Sequence, residues 1–378
     1  MSSSYWLEEA GPPRSLQQSV AKFWGRPEVV VIGGGVTGCA CAVALAEGGV
    51  RVRLHEAREI AGGASGRNGG FALRGGAMPY EEARSQLGQE AAVSLWRLTE
   101  RYVERMAELA GDAFRRVGSL RLAADEAERE GLRADYEALR GDGFEADWLD
   151  DLPAPLATRF PAAIRHPRDG SLQPARWVRR LAASAAEAGV EIQERSRVGS
   201  LDELDATHIV IATDGYSQSL LPELEQAIKP TRGQVVVTEP LAEQRFSCPH
   251  YSRQGFDYWQ QTPEGRLVAG GRRDTALETE NTAVEKTTGE IQAAIEELVR
   301  ELLGHLPRIT HRWAGIFGTT ADRLPLVGRL RSRDGVWVAA GYSGHGNVMG
   351  LACGELVARA ILDQPAPELQ LFDPARLL

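Results

Sequence analysis

The sequence predicts an α/β protein whose first domain contains a Rossmann-like βαβ unit within residues 28–56. An apolar run at residues 29–32 is typical of a buried strand. It leads into a turn with G-x-G-x-x-G spacing at Gly33, Gly35 and Gly38. A helix of small residues follows at 36–47, and a second strand at 50–56 ends on an acid. This order of elements indicates a nucleotide-binding unit rather than a packing turn without a ligand.

The residue types of this unit fit an adenine dinucleotide. Gly33 permits the tight turn, Gly35 lets the backbone approach a pyrophosphate, and Gly38 lets the helix pack on the strand. The positive end of the helix then faces the phosphates. Glu56 can accept hydrogen bonds from a ribose diol and would repel a 2′-phosphate, so we expect an unphosphorylated adenosine. The unit alone does not separate NAD from FAD.

Length and charge limit the possible classes of protein. A chain of 378 residues predicts two domains that share an interface. The net charge of −9 argues against a broad nucleic-acid or anionic-membrane surface, although it leaves room for a local basic pocket. No run of about 20 apolar residues occurs, and residues 1–26 lack the apolar core of a signal peptide. We therefore expect a cytoplasmic protein without a membrane span.

The aromatic residues of the N-terminal arm, residues 1–26, predict that it packs on the body of the protein: Tyr5, Trp6, Phe23 and Trp24. The cysteines show no metal-binding or disulfide spacing. Cys39, Cys41 and Cys353 lie in small-residue helices and are interpreted as packing residues. His55 is interpreted as a surface strand residue.

A second glycine-rich segment follows the βαβ unit at residues 57–76. It alternates glycine with small donors at Gly62, Gly63, Ser65, Gly66, Arg67, Asn68, Gly69 and Gly70. Such a loop lets backbone N–H groups reach a flat or anionic ligand. Because it directly follows the βαβ unit, we interpret it as a ligand cradle rather than a flexible linker.

The remaining chain reads as alternating elements of a second domain and of a return to the first sheet. Helices are predicted at 80–111, 125–141, from Pro174 to Gly189, at 284–304, and after the turn 341–350 to about Leu362. Strands are predicted at 118–123, 190–198, 207–217, 232–240, 255–271 and 336–340, with a hairpin turn at 262–265. Residues 148–161 are interpreted as a proline-punctuated surface segment.

Six strings in a fixed order resemble those of a known family. They are GGGVTG (33–38), HEA (55–57), GGASGRNGG (62–70), IVIATDGYS (209–217), TADRLPLVG (320–328) and GYSGHG (341–346). Their order is similar to the FAD-dependent D-amino-acid oxidase (DAO) superfamily. The strings YWQQTPEGRLVAGG (258–271) and GYSGHG most resemble its γ-glutamylputrescine oxidase-like and glycine oxidase branch.

The resemblance implies an interleaved fold. A Rossmann-like FAD-binding domain of the glutathione-reductase-2 type would alternate with an α+β substrate domain built on an antiparallel sheet. The implied FAD-binding domain comprises residues 27–78, 162–231 and 312–378. The implied substrate domain comprises residues 79–161 and 232–311.

The resemblance also implies the cofactor, FAD, and the residues that hold it. These are Gly33, Gly34, Gly35, Gly38, Glu56, Ser65, Arg67, Asn68, Gly69, Gly70, Val198, Ala212, Thr213, Gly215, Gly344, His345, Gly346 and Asn347. A helix beginning near Gly346 would aim its positive end at the flavin, where negative charge appears on reduction. The segment WAGIFGTT (313–320), which leads into TADRLP, contains no cysteine, and no histidine occurs in GGASGRNGG, so we expect noncovalent FAD.

The implied reaction oxidises the C–N bond of an amine or amino acid by hydride transfer to flavin N5, giving an imine that hydrolyses. Tyr258, His345, Arg67 and Arg323 are the predicted catalytic or substrate-contacting residues, with Arg272 and Arg273 as further carboxylate-binding candidates. Trp259, next to Tyr258, is expected in the core. The strand RLVAGG lacks the lysine that some oxygen-using relatives place over the flavin, so O2 or another electron acceptor remains open.

Three other functions remain open at this point. An NAD-linked dehydrogenase would need a second motif set that is absent. A flavin-dependent tRNA-modifying domain would need a basic face, which the net charge disfavours, although the arginine-rich region 159–180 could form a local one. A flavoprotein that only binds its cofactor is the third. We expect a small-molecule substrate, no nucleic-acid partner and no metal; the oligomeric state is left open.

Overall fold

The computed structural model describes residues 3–11 and 25–378, so Phe23 and Trp24 lie outside the described residues. The helices are α1 (Tyr5–Glu9), α2 (Val36–Glu47), α3 (Tyr80–Leu87), α4 (Gln89–Ala110), α5 (Glu126–Gly141), α6 (Pro174–Glu187), α7 (Leu277–Glu280), α8 (Gly289–Leu303) and α9 (Gly346–Ile361). None of these helices is both long enough and apolar enough to cross a lipid bilayer.

The strands form three sheets. They are β1 (Val29–Ile32), β2 (Val52–His55), β3 (Phe71–Ala72), β4 (Phe114–Arg115), β5 (Ser119–Leu122), β6 (Asp147–Leu149), β7 (Ala163–His166), β8 (Gly170–Leu172), β9 (Glu191–Gln193), β10 (His208–Ile211), β11 (Lys229–Pro240), β12 (His250–Ser252), β13 (Asp257–Gln261), β14 (Arg266–Gly271), β15 (Ile309–Thr319), β16 (Leu326–Arg329) and β17 (Val336–Ala340).

The first sheet confirms the Rossmann-like prediction. Its order is β16-β17-β10-β1-β2-β9, parallel throughout except for the antiparallel edge strand β16. All four residues of β1 are buried, as expected for a strand covered on both faces. Helix α2 has the predicted bounds, and it packs between α6 and α9. β2 begins at Val52, two residues later than predicted.

The second sheet has the order β15-β11-β14-β13-β12-β5-β7-β6. Neighbouring strands are antiparallel except for β12 and β5, which run parallel. Helix α8 covers one face and forms a core with the sheet that includes Trp259 and Leu267. The predicted hairpin turn is confirmed between β13 and β14, where the Gly265 amide donates to the Thr262 carbonyl at 2.9 Å. A small third sheet has the order β3-β8-β4.

Three predicted elements are corrected. The segment 148–161 is exposed at many positions, but it is anchored by Leu152, Leu156 and Phe160, which are buried in the core beneath α8. The helix predicted at 80–111 is two helices, since Gly88 between them has a φ of 87° that helical residues do not adopt. Helix α8 begins at Gly289 rather than 284, because residues 281–288 form a loop that reaches the first domain.

Sheet membership bears on the proposed domain borders. Strand β7 and the end of β15 belong to the second sheet, although 162–231 and 312–378 were assigned to the FAD-binding domain. The second sheet also takes in Lys229 at the start of β11. The interleaved division therefore stays a proposal, with its borders best drawn where strands change sheet.

The described part of the N-terminal arm packs on the body, as predicted for its first two aromatic residues. Tyr5 and Trp6 are 6% and 3% exposed. All four cysteines are buried and unpaired, which agrees with the interpretation of Cys39, Cys41 and Cys353 as packing residues.

Candidate cofactor and substrate site

A cavity of about 770 Å³ lies where the loops after β1, β2, β10 and β17 meet the second sheet. The carboxyl ends of parallel strands are the usual place for a ligand in such folds. Most of the predicted cofactor residues line it: Gly33, Gly35, Glu56, Ser65, Arg67, Asn68, Gly69, Val198, Ala212, Thr213, Gly344, His345, Gly346 and Asn347. The predicted substrate residues Tyr258 and Arg323 line it as well.

Four predicted cofactor glycines do not line the cavity, and each is required by close packing instead. A Cβ at Gly34 would lie 2.5 Å from Ile60 Cδ1, and one at Gly215 would lie 2.8 Å from the Phe317 carbonyl carbon. A Cβ at Gly38 would overlap the Gly33 carbonyl oxygen, and one at Gly70 would overlap Gln260 Nε2. These glycines lie behind the cavity wall, where the lack of a side chain permits close packing.

The first glycine turn forms a cradle that side chains would fill. Gly33 has a φ of 115°, and a Cβ there would lie 2.5 Å from the Ala212 carbonyl oxygen. A Cβ at Gly35 would lie 2.8 Å from Ser65 Oγ. Ser65 Oγ accepts a hydrogen bond from the Val36 amide at 3.1 Å and so joins the second glycine segment to the start of α2. The start of α2 carries no acidic side chain, which suits an anionic ligand.

Glu56 lies on the wall beside this turn. Its two carboxylate oxygens accept hydrogen bonds from the Gly34 and Arg58 amides, each at 2.7 Å. Burial raises the pKa of the Glu56 carboxyl, while these backbone donors act in the opposite direction. A carboxylate oxygen has a second lone pair, so Glu56 keeps the capacity to accept from a ribose hydroxyl. His55 also lines the cavity, and its interpretation as a surface residue is wrong.

Asp214 fixes the turns around the cavity, a role that the sequence reasoning missed. Its carboxylate accepts from the Gly318 amide at 2.9 Å and from the Gly341 amide at 2.8 Å. These bonds tie the end of β10 to β15 and to the turn after β17. Burial raises the pKa of the Asp214 carboxyl. The only signal in the sequence was the position of Asp214 directly after an apolar strand.

The turn between β17 and α9 presents His345 to the cavity. Three left-handed residues make this turn: Gly341 (φ 86°), Ser343 (φ 51°) and Gly344 (φ 94°). Burial lowers the pKa of His345 to about 4, so its imidazole is neutral at pH 7. Within the described residues, Nδ1 of His345 has no hydrogen-bond partner. A neutral ring is suited to a hydrogen bond with a ligand and poorly suited to holding a proton.

Tyr258 lies in a slot between two glycines. A Cβ at Gly69 would lie 3.0 Å from its ring, and a Cβ at Gly270 would lie 2.5 Å from its Cζ atom. The ring of Phe71 meets the Tyr258 ring edge-on, with centroids 6.0 Å apart. Burial raises the pKa of Tyr258 to about 12, so its hydroxyl stays protonated and can donate. Trp259 points the other way and is completely buried in the core, as expected.

Three of the arginines considered from the sequence are engaged by protein groups. Arg67 is 7% exposed, and its Nε donates to the Gly62 carbonyl at 2.9 Å. Arg323 forms an ion pair with Glu82 at the rim. Arg272 pairs with Asp257 and with Glu301, each at 2.8 Å. Because each of these three guanidinium groups is already held by protein groups, none of the three is favoured as the principal anion-binding group of the cavity.

Arg273 is placed differently. Its guanidinium lies 4.8 Å from the Phe256 ring centroid and 5.8 Å from that of Phe317, and it lines the cavity. It forms no hydrogen bond or ion pair with any described residue. Burial lowers the pKa of Arg273, but a guanidinium remains charged at any working pH. The left-handed backbone of Arg272, with a φ of 57°, turns the two neighbours in different directions.

Glu285 forms a second contact between the domains beside the cavity. Its carboxylate is 5% exposed and pairs with Arg58 at 2.8 Å and with Arg67 at 3.3 Å. The Tyr216 hydroxyl donates to it at 3.0 Å. Because residues 284–288 were predicted as helix, the sequence reasoning missed this cluster.

The parallel sheet, the glycine turn after β1 and the cavity at the carboxyl ends of the strands form the arrangement in which Rossmann-like folds bind adenine dinucleotides. A model of the FAD dependent oxidoreductase family, DAO, matches residues 28–360, and the chain belongs to this family. It is therefore an FAD-dependent oxidoreductase, related to amine and amino-acid oxidases.

Two curated relatives and one solved structure illustrate the likeness. The chain is 29% identical to the "Probable oxidoreductase OrdL" of Rhizobium meliloti, over 98% of this chain and 91% of the relative. It is 27% identical to the gamma-glutamylputrescine oxidoreductase of Escherichia coli, over 98% of this chain and 90% of the relative. The crystal structure of glycine oxidase from Geobacillus kaustophilus superposes with a TM-score of 0.78 at 23% identity, covering 93% of this chain and 99% of that one.

Proposed function

We propose that this enzyme oxidises the C–N bond of an amine that also carries a carboxylate. The observation that carries the proposal is Arg273, a cavity-lining guanidinium that has no hydrogen bond or ion pair within the described residues. A charged group held among aromatic rings gains most from an anionic ligand that binds it bidentately. Tyr258 lines the same cavity, where burial raises its pKa to about 12 and the positive charge of Arg273 acts in the opposite direction.

In this proposal different cavity residues bind different parts of the substrate. Arg273 would take the carboxylate, and the protonated Tyr258 hydroxyl would donate a hydrogen bond to the substrate. His345 stays neutral and would orient the amine without taking its proton. Bound FAD would supply the chemistry by accepting a hydride from the carbon next to nitrogen, and water would hydrolyse the resulting imine. The amine must therefore be neutral when it reacts.

The electron acceptor stays open in this proposal. Neither Lys229 nor Lys286 lines the cavity, so the oxygen-using arrangement of some relatives has no counterpart among the described residues. Lys229 instead donates to the Glu225 carbonyl at 2.8 Å. Both O2 and another acceptor are compatible with the geometry.

The tRNA-modifying alternative loses support from the region that had suggested it. Five arginines of the region 159–180 form ion pairs with carboxylates within the described residues: Arg159, Arg165, Arg168, Arg176 and Arg180. Pairing reduces the positive potential that a phosphate backbone would require. Family membership likewise disfavours the NAD-linked alternative.

An anaerobic substrate screen tests the proposal. The holoenzyme is mixed with pairs of amines that differ only by a carboxylate, and the visible absorbance of the flavin is followed. We expect a carboxylate-bearing amine to bleach the flavin and its decarboxylated partner to react at least tenfold more slowly. A flavin that no amine reduces would refute amine oxidation, and equal rates within every pair would refute the carboxylate requirement.

A further inference from the structure

The second glycine segment is held from behind by an unusual set of donors. The five consecutive carbonyls of residues 66–70 each accept a hydrogen bond from a side chain. The donors are Ser4 Oγ to Gly66 (2.7 Å), Trp313 Nε1 to Arg67 (2.8 Å), Trp6 Nε1 to Asn68 (2.8 Å), and Gln260 Nε2 to Gly69 (2.6 Å) and Gly70 (2.8 Å). All four donor residues are at most 3% exposed, and none lines the cavity.

The direction of these carbonyls fixes the direction of two amides. In a planar trans peptide the C=O of one residue and the N–H of the next point in opposite directions. Trp313 and Trp6 hold the carbonyls of Arg67 and Asn68 on the far side, so the amides of Asn68 and Gly69 point toward the cavity that both residues line. Neither amide has a hydrogen-bond partner among the described residues.

Two of the four donors come from the N-terminal arm, and that arm is itself anchored to both domains. Gln173, the N-cap residue of α6, donates from Nε2 to the Trp6 carbonyl at 2.8 Å. On the other side, His311 of β15 meets the Glu8 carboxylate at 3.1 Å and the Tyr5 ring at a centroid distance of 5.4 Å. The short helix α1 is therefore a strap across the domain junction, directly behind the glycine segment.

We propose that the strap, Ser4 with α1, is a positioning element for the flavin: Ser4 and Trp6 orient the Asn68–Gly69 segment so that its free amides meet acceptor atoms of the isoalloxazine ring. Gly70 fits the same design, because a side chain there would overlap Gln260 and Leu172 and would lie 3.2 Å from the Trp6 ring. The proposal rests on FAD binding and not on the amine substrate.

The test compares two ligands on the full-length apo-protein. Under this proposal FAD would engage both the glycine turn after β1 and the glycine segment, whereas ADP would reach only the turn. The side-chain hydrogen bonds that the strap donates to carbonyls of the first domain go to the glycine segment, at Gly66 and Asn68. Trp6→Phe removes one hydrogen-bond donor and keeps the aromatic ring. We expect it to weaken FAD binding about tenfold, the equivalent of one net hydrogen bond, and to leave ADP binding unchanged. Trp337→Phe is the matched control, since the Trp337 indole donates to His208 at 3.4 Å outside the cavity.

The outcomes separate positioning from a general structural role. If Trp6→Phe weakens FAD and ADP equally, or changes neither, the strap does not position the flavin. If Trp6→Phe does not fold, Ser4→Ala is used in the same comparison of FAD and ADP binding. We expect Ser4→Ala to weaken FAD binding several-fold and to leave ADP binding unchanged. Failure of every amine to reduce the enzyme would refute the proposed function and leave this result unaffected.

Discussion

The charge states of His345 and Tyr258 lead to a specific pH dependence of substrate oxidation. Burial lowers the pKa of His345 to about 4 and raises that of Tyr258 to about 12. Neither group changes charge between pH 5 and pH 11, so the substrate amine should be the group whose titration controls kcat/KM. We expect kcat/KM to fall about tenfold per pH unit below the pKa of the amine.

The magnitude separates this account from the alternative of an ordinary histidine. Protonation of a group with a pKa of about 6.5 would reduce activity by a further ~30-fold at pH 5, whereas a pKa of about 4 predicts a further loss of only ~10%.

The assay is anaerobic stopped-flow reduction of the flavin with two substrates whose amine pKa values differ by about one unit. The break in the pH profile should move with the substrate. A break near pH 6.5 that is the same for both substrates and disappears in His345→Asn would refute the reasoning.

Two further predictions concern stability and the cavity scaffold. His250 is buried against Trp259 with a pKa lowered to about 4, so the unfolded chain binds a proton below about pH 6.5 that the folded chain does not. Its contribution to the free energy of unfolding should fall by about 1.6 kcal/mol on acidification from pH 6.5 to pH 5. In urea titrations His250→Phe should remove that loss, whereas His305→Gln, at an exposed position, should keep it. In Asp214→Asn an NH2 group replaces one carboxylate oxygen and faces a backbone N–H, of Gly318 or of Gly341, that then loses its acceptor. This loss should lower the free energy of unfolding by about 2–4 kcal/mol in the same titrations at pH 7. A pH dependence unchanged in His250→Phe, or a loss below about 0.5 kcal/mol in Asp214→Asn, would contradict the respective prediction.

Much of the first domain was predictable because its signals are local. The βαβ unit is specified by residues that are close in sequence: the apolar run of β1, the glycine turn and the small residues of α2. The bounds of α2 are accordingly as predicted. The hairpin turn at 262–265 is also as expected, since turn residues act within four positions. Local periodicity failed where burial depends on distant partners, as for Leu152 beneath α8.

The site was harder to predict because the role of each charged group depends on partners far away in the sequence. Arg67 lies in a recognisable motif but is held by Glu285 from the other domain, whereas Arg273, in no glycine motif, has no such partner. The roles of the motif glycines likewise depend on their surroundings in the folded chain. Gly35 lines the cavity and Gly38 does not, because the helix turns Gly38 against the Gly33 carbonyl.

The most direct test of the proposed function is the selectivity ratio, kcat/KM for a carboxylate-bearing amine divided by that for its decarboxylated partner. Loss of a charge-assisted hydrogen bond in Arg273→Met should lower this ratio by about 10- to 100-fold. Arg331→Met is the control, because Arg331 is 78% exposed and lies outside the cavity. Collapse of the ratio in Arg273→Met alone is the predicted result. A ratio that stays at the wild-type value in that variant would contradict the assignment of Arg273 as the carboxylate-binding residue.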